Sequence, residues 1–260
     1  MEKRITRAKD KIKAARIPYR VPTAEDLPAR VSGVLAVLFL VFNEGYLATG
    51  PDTDPVRHDL TAEAIRLTRL IRVLMPENGE VAGLLALMLL IEARRTARVS
   101  ASGELVTLDE QDRGSWDGEL VAEGHRLVRE RLAAREAPGR YQILAAINAV
   151  HTSARDVRDT DWSQVVALYD QLVRLDPSPI IALNRAIAVA ELDGPQVALA
   201  AVDCLEDKLS GYHAYQATRA DLLRRLGRAQ QSREAYDRAI ELAGNTAEIA
   251  HLTRRRDQLT

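Results

Sequence analysis

The most regular alternation of apolar and polar positions lies between Asp161 and Gly194, DWSQVVALYDQLVRLDPSPIIALNRAIAVAELDG. Val165, Leu168, Tyr169, Leu172 and Leu175 recur at steps of three and four, which puts them on one face of a 3.6-residue helix. The Asp176-Pro177-Ser178-Pro179 turn interrupts the pattern. A second helix then carries Ile181, Leu183, Ala186, Ile187 and Ala190, and Gly194-Pro195 ends it. The same reading upstream predicts a helix over 24–47 with Gly45 as its C-terminal cap. It predicts an amphipathic helix over 60–74 with a face of Ala64, Leu67, Leu70, Ile71 and Leu74, and a nearly all-apolar helix over 81–98. Further helices follow over 116–134, 141–154 and 246–259. Prolines make 17–30 a linker with Thr23 as an N-cap. Residues 99–115 read as irregular, with an extended piece at Leu105–Leu108. The expected core of the first half is Leu38, Leu67, Leu85, Leu87 and Leu89. Arg94, Arg95 and Arg98 are expected to reach water, and Arg254-Arg255-Arg256 to form a solvated outer face.

The helix pair is repeated. Tyr169-Asp170-Gln171 and Leu175 return as Tyr236-Asp237-Arg238 and Leu242, 67 residues later, and Arg185-Ala186 returns as Arg219-Ala220 after 34. A period near 34 of helix-turn-helix repeats is the pattern of tetratricopeptide repeats. One such hairpin cannot bury both faces, so stacked neighbours complete its core. No copy carries the full pattern, so the repeats are degenerate. The predicted fold is all-α, a right-handed helical-hairpin array in which a helical N-terminal half precedes the tetratricopeptide-like repeats.

Composition supports this class. Apolar residues make up 47% of 260 residues and aromatics only 4%, so Leu, Ala, Val and Ile fill the core. The net charge of −1 is uneven, with +6 in residues 1–20 and −7 in the remainder. The body is therefore no nucleic-acid surface by charge, whereas the basic helix over 2–16 can be one. The single cysteine, Cys204, excludes an intramolecular disulfide. It sits in an apolar pattern that predicts burial, in keeping with a reducing cytoplasm. The N-terminus lacks a signal-peptide pattern. The apolar runs Val34–Phe42 and Val81–Ile91 are shorter than the ~20 residues of a membrane span, so no membrane partner is expected.

No catalytic set is visible: there is no P-loop, no dinucleotide-binding glycine turn and no nucleophile elbow. No enzyme activity, cofactor or metal is expected. Glu248-x-x-His251 has the spacing of a carboxylate-bridged metal site but lacks the second copy that such a site requires. Asp112, Arg113 and Trp116 form an unusual loop, read as a structural one pinned by the Trp and an Asp–Arg pair, with Asp112 or Ser115 capping the next helix. A polar column on the first helices of the repeats is the candidate binding groove: Asn148, Asn184 and Thr218, with Arg185 and Arg219 beside them. There an amide can bond to the backbone of an extended partner peptide and an Arg can hold a carboxylate. The alternative is that these residues bond to neighbouring helices.

Longer motifs carry a resemblance. RITRAKDKIKAARIPYRVP, LVFNEGY, EAIRLTRLIRVLMP, GLLALMLLIEARRTAR, LDEQDRGSWD, GRYQILAAINAVH, LYDQLVRLDPSP, LNRAIAVAELDGP and RADLLRRLGR occur in order over essentially the whole chain. Together they resemble bacterial extracytoplasmic-function RNA polymerase sigma factors that carry a long C-terminal tetratricopeptide-like extension. The resemblance implies that residues 1–16 are the end of the −35-binding recognition helix, with Lys3, Arg4, Arg7 and Lys9 contacting DNA only in a full-length protein. It implies a linker at 17–30, a helical domain at 24–135, and repeats with a capping helix at 138–260. The −10-binding region has no counterpart here, so the implied chain is the extension itself, unable to initiate transcription alone. The implied partners are RNA polymerase and the sigma N-terminal regions, in the cytoplasm. A free-standing adaptor that binds a peptide segment of a partner is the alternative.

Overall fold

The computed structural model describes residues 25–47, 56–98 and 105–259, with positions 11, 14, 15, 23 and 100. The basic helix expected over 2–16, including Lys3, Arg4, Arg7 and Lys9, lies outside the described residues except for isolated positions. The chain divides into two compact units, residues 1–37 and 38–260. The expected division between 24–135 and 138–260 falls inside the second unit.

The described residues form α1 (Leu27–Tyr46), α2 (His58–Leu74), α3 (Gly79–Glu92), α4 (Gly118–Ala133), α5 (Arg140–Ser153), α6 (Trp162–Leu175) and α7 (Pro179–Leu192). Then come α8 (Pro195–Asp203), the short α9 (Glu206–Leu209), α10 (His213–Arg225), α11 (Ala229–Leu242) and α12 (Thr246–Asp257). The only strand-like feature among them is a bridge at Leu105, beside the Val106 N–H that donates to Arg98 O at 2.8 Å. The fold is an all-α helical repeat, and from α2 to α8 each helix packs on the next or the next but one.

Helix α3 is the centre of the first half. Every residue from Val81 to Leu90 is buried, and α2, α4 and α5 pack around it. Asn78 caps it by accepting from Glu80 N and Val81 N. Two glycines let the neighbours approach: a Cβ at Gly83 would lie 2.6 Å from Gln142 N, and one at Gly124 would lie 2.6 Å from Leu90 Cγ. The Glu80 carboxylate accepts from Tyr141 N and Gln142 N, so it caps α5 from another helix. This packing is why the chain break at Pro138-Gly139 does not separate two bodies.

Leu38, Leu85, Leu87 and Leu89 are buried as expected, but Leu67 is half-buried. Helix α2 buries Thr61, Ala64, Ile65 and Thr68, while Leu70 and Leu74 of the expected face are exposed. Apolar residues cover more than half of this helix. Packing selects its small-residue side, because Gly45 lies against Thr61. Gly45 itself is inside α1 rather than at its cap, and a Cβ there would sit 2.7 Å from Thr61 N. Cys204 is exposed at the end of α8, not buried. The expected apolar face of that helix is carried by Ala198, Leu199 and Val202.

Helix α1 is 20 residues long with a hydropathy of 1.5, so by length and composition it can cross a membrane. The apolar run Val34–Phe42 is only its central part. Its C-terminal half is engaged by protein: Leu38 and Phe42 are buried, Phe39 meets the Tyr141 ring edge-on at 5.5 Å, and Arg98 stacks on Tyr46. Side chains packed in this way are not available to lipid.

Leu87→Ala should cost ~2–5 kcal/mol, whereas Leu74→Ala, at an exposed position, should change stability by less than ~0.5 kcal/mol. Urea unfolding of both variants checks this. Equal losses would contradict a centre at α3.

Candidate protein-binding groove

A groove of about 890 Å³ runs across the second unit. Its lining comes from the end of α1, from Arg94 and Arg98 just after α3, from the 105–111 segment, and from α5, α6, α7, α10, α11 and α12. The repeat period is visible in its charges. Arg225 on α10 donates to Glu191 on α7, 34 residues earlier, at 2.6 Å. Arg255 on α12 donates to Asp221 on α10, again 34 residues earlier, at 3.2 Å. Helices α7 and α10 thus each hand a carboxylate to an arginine one repeat on, and this wall neutralises itself. Arg255 also lies 3.9 Å from Glu110. Arg254, Arg255 and Arg256 are accordingly half-buried rather than a solvated face.

A second ladder ties neighbouring helices outside the groove. Asp170 accepts from Arg185 at 2.6 Å, Asp203 from Arg219 at 2.9 Å, and Asp237 from Arg256 at 2.8 Å. The repeated Tyr-Asp motif supplies its first and last carboxylates. Arg185 and Arg219 therefore do not line the groove, contrary to the sequence expectation. One position along a helix is a rotation of about 100°, which turns them from the polar column toward the preceding helix.

Asn184 and Thr218 do line the groove. The Thr218 hydroxyl donates to Ala214 O in its own helix at 2.8 Å. The Asn184 carboxamide makes no hydrogen bond among the described residues and is free for a ligand backbone. Asn148 bonds to protein instead: its amide donates to Leu144 O at 3.0 Å, and its oxygen accepts from Arg94 at 3.4 Å.

The Asp112–Arg113–Trp116 loop is held by contacts within the chain, with different partners from those expected. Arg113 donates to the carbonyls of His151 and Ala154 at 2.6 and 2.8 Å and stacks over Trp116. Asp112 caps a 3-10 turn through Gly114 N, and Asp117 caps α4. Of the Glu248-x-x-His251 pair, Glu248 lies 3.9 Å from His213 and His251 contacts Arg254. No group of three or more His, Cys, Asp or Glu that could hold a metal occurs among the described residues.

The floor of the groove was not expected. Arg94 and Arg98, placed in water by the sequence reading, are 8% and 5% exposed. Arg98 donates to Tyr46 O at 2.7 Å with its guanidinium 3.1 Å from the Tyr46 ring centre. Among the described residues no carboxylate lies within salt-bridge distance of either arginine. Glu92, whose charge Arg98 feels, is occupied by His58 at 3.1 Å and Arg95 at 2.9 Å. Burial lowers the pKa of both arginines, and each feels a like charge, Arg113 acting on Arg94 and Arg94 on Arg98. A buried charge without a partner costs on the order of several kcal/mol. His151 beside them is pushed down to about 4 by burial, then by Arg94 and Arg113. The signal for this floor was two arginines, i and i+4, directly after a helix apolar on all sides. A helix surrounded by protein carries the residues at its end inward too.

A stack of helical hairpins with a groove running across it is a tetratricopeptide-like helical-repeat fold. Comparison with known proteins agrees at the level of fold. The thermophilic tetratricopeptide-repeat protein TTC0263 of Thermus thermophilus matches with a TM-score of 0.54 at 15% sequence identity, over 88% of this chain and 97% of the other. Residues 30–132 match a family of unknown function, DUF6596. Uncharacterized protein R00370 of Rhizobium meliloti (strain 1021) is 46% identical over 260 residues, which is 100% of this chain and 61% of the relative. The chain thus spans about three fifths of the length of that curated relative.

Arg185→Ala or Arg219→Ala should cost ~0–1 kcal/mol, as half-exposed ion pairs do, and leave ligand capture in the groove unchanged. Urea unfolding and pull-down check this together. His151 makes stability depend on pH. The unfolded chain protonates it near its ordinary 6.5 and the folded chain only near 4, so the unfolded state binds more protons in between. Stability should fall by up to about 3 kcal/mol as pH drops from 6.5 to 4. His151→Gln should flatten that part of the profile in urea midpoints measured across this range.

Proposed function

We propose that this chain is a non-catalytic protein-interaction module, the C-terminal regulatory extension of an extracytoplasmic-function sigma factor. In this reading it acts in the cytoplasm, modulating transcription initiation through contacts with the sigma N-terminal regions or RNA polymerase. Promoter DNA is a partner only of the full-length protein. The observation that carries the interaction role is the groove: a long concave surface on a repeat scaffold, with the Asn184 amide unbonded within it. Extended peptides bind such surfaces through backbone hydrogen bonds to side-chain amides. The sigma assignment is supported by the ordered motifs quoted above. A relative with about two fifths of its length outside the match is in keeping with it.

In vitro transcription with the full-length factor, with and without residues 24–260, tests the reading. Removing them should change promoter output about fivefold or more, the range of an ordinary coupling energy. Unchanged output would discard the regulatory role and leave a free-standing peptide-binding adaptor as the better account.

A further inference from the structure

We propose that the groove floor at Arg94, Arg98 and His151 binds the carboxylate of an Asp or Glu side chain in an extended segment of a partner protein. The inference rests on the groove being a peptide-binding surface and specifies the chemistry that the surface selects. The described arginines elsewhere along the groove are paired, Arg225 with Glu191 and Arg255 with Asp221. At the floor, two guanidiniums more than nine-tenths buried face the groove with no carboxylate in reach among the described residues. Arg94 Nε and His151 Nδ1 are buried and make no hydrogen bond there. A carboxylate supplies both the missing negative charge and the acceptor oxygens, and two-point capture by guanidinium groups is its preferred mode.

Two further observations favour a peptide over a phosphate polymer. Gln111 Nε2 donates to Val106 O at 3.2 Å, which fixes the amide orientation and leaves Gln111 Oε1 as a buried, unbonded acceptor lining the groove. A peptide N–H can satisfy it and a phosphate oxygen cannot. Asp109, Glu191, Asp221 and Glu248 also line the groove. Glu191 and Asp221 hold Arg225 and Arg255, so the groove offers no run of free cations to a chain that carries a charge at every step, whereas a segment with a single anchoring carboxylate needs only the floor.

The experiment titrates the full chain with N-acetyl-glutamate α-amide and follows the Arg94 Nε–H and His151 ring resonances by NMR. A saturable shift of both is expected, with none from N-acetyl-glutamine amide. Arg94→Met should weaken the effect at His151 by about tenfold or more, as loss of a charge-assisted hydrogen bond implies. Its melting temperature should be unchanged or higher, because a buried unpaired charge is replaced by an apolar chain of similar length. Arg94→Gln serves the same purpose if the Met variant does not fold. Absence of any shift overturns the proposal. So does a variant that melts well below the parent while the His151 response persists, since Arg94 is then structural. Inorganic phosphate or a short single-stranded DNA acting at lower concentration than the capped glutamate overturns the assignment to a protein carboxylate. A failed transcription test leaves this binding result standing, and a failed titration leaves the transcription result standing.

Discussion

Burial of α3 on every side is the constraint on which the rest of the second unit depends. Ten consecutive residues, Val81 to Leu90, are out of water. That requires neighbours on all sides, and α2, α4 and α5 supply them at close range through Gly83 and Gly124. Glu80 couples the start of α3 to the first turn of α5. The chain leaves this helix still among its neighbours, so Arg94 and Arg98 enter the interior beside Tyr46, Asn148 and His151 while Arg95 between them stays partly exposed. The core of the first half and the floor of the groove are thus joined, the floor being built from the turn that directly follows α3.

The repeats solve a different problem. Each hairpin must be kept in register with the next, and two ladders of ion pairs do this at the repeat spacing. One joins neighbouring helices away from the groove, Asp170–Arg185, Asp203–Arg219 and Asp237–Arg256. The other runs along the groove wall, Glu191–Arg225 and Asp221–Arg255. Individually such half-exposed pairs contribute little. Set at one spacing along a stack that already buries Leu183, Leu199, Tyr215, Leu223 and Tyr236, they fix which helix faces meet. As a result most groove charge is neutralised internally, and only the floor keeps cationic groups unmatched. Burial without a counter-charge opposes folding, and a ligand that relieves it binds more tightly for that reason. A site held in a strained electrostatic state is a usual place for stability and function to trade against each other.

The helices, their order and the repeat were legible in the sequence because they are local. Apolar spacing sets an amphipathic helix, prolines and glycines punctuate it, and a residue pattern that returns after 34 positions marks the stacked hairpin. Asn184 and Thr218 fell in the groove as expected for the same reason, since helical phase alone carries them there. What the sequence did not determine was which side of a helix meets which neighbour. Arg185 and Arg219 are one position from the groove column, and only the presence of Asp170 and Asp203 across the interface decides that they turn away. On α2 the face of Thr61, Ala64, Ile65 and Thr68, not the leucines, makes the contact. Arg94 and Arg98 look like a solvated helix end when read locally, because charged side chains usually find water. Their burial is imposed by helices that arrive from up to 60 residues further along the chain. Spacing along the chain determines the elements, whereas the partners of a side chain across a helix contact are set only when distant segments pack.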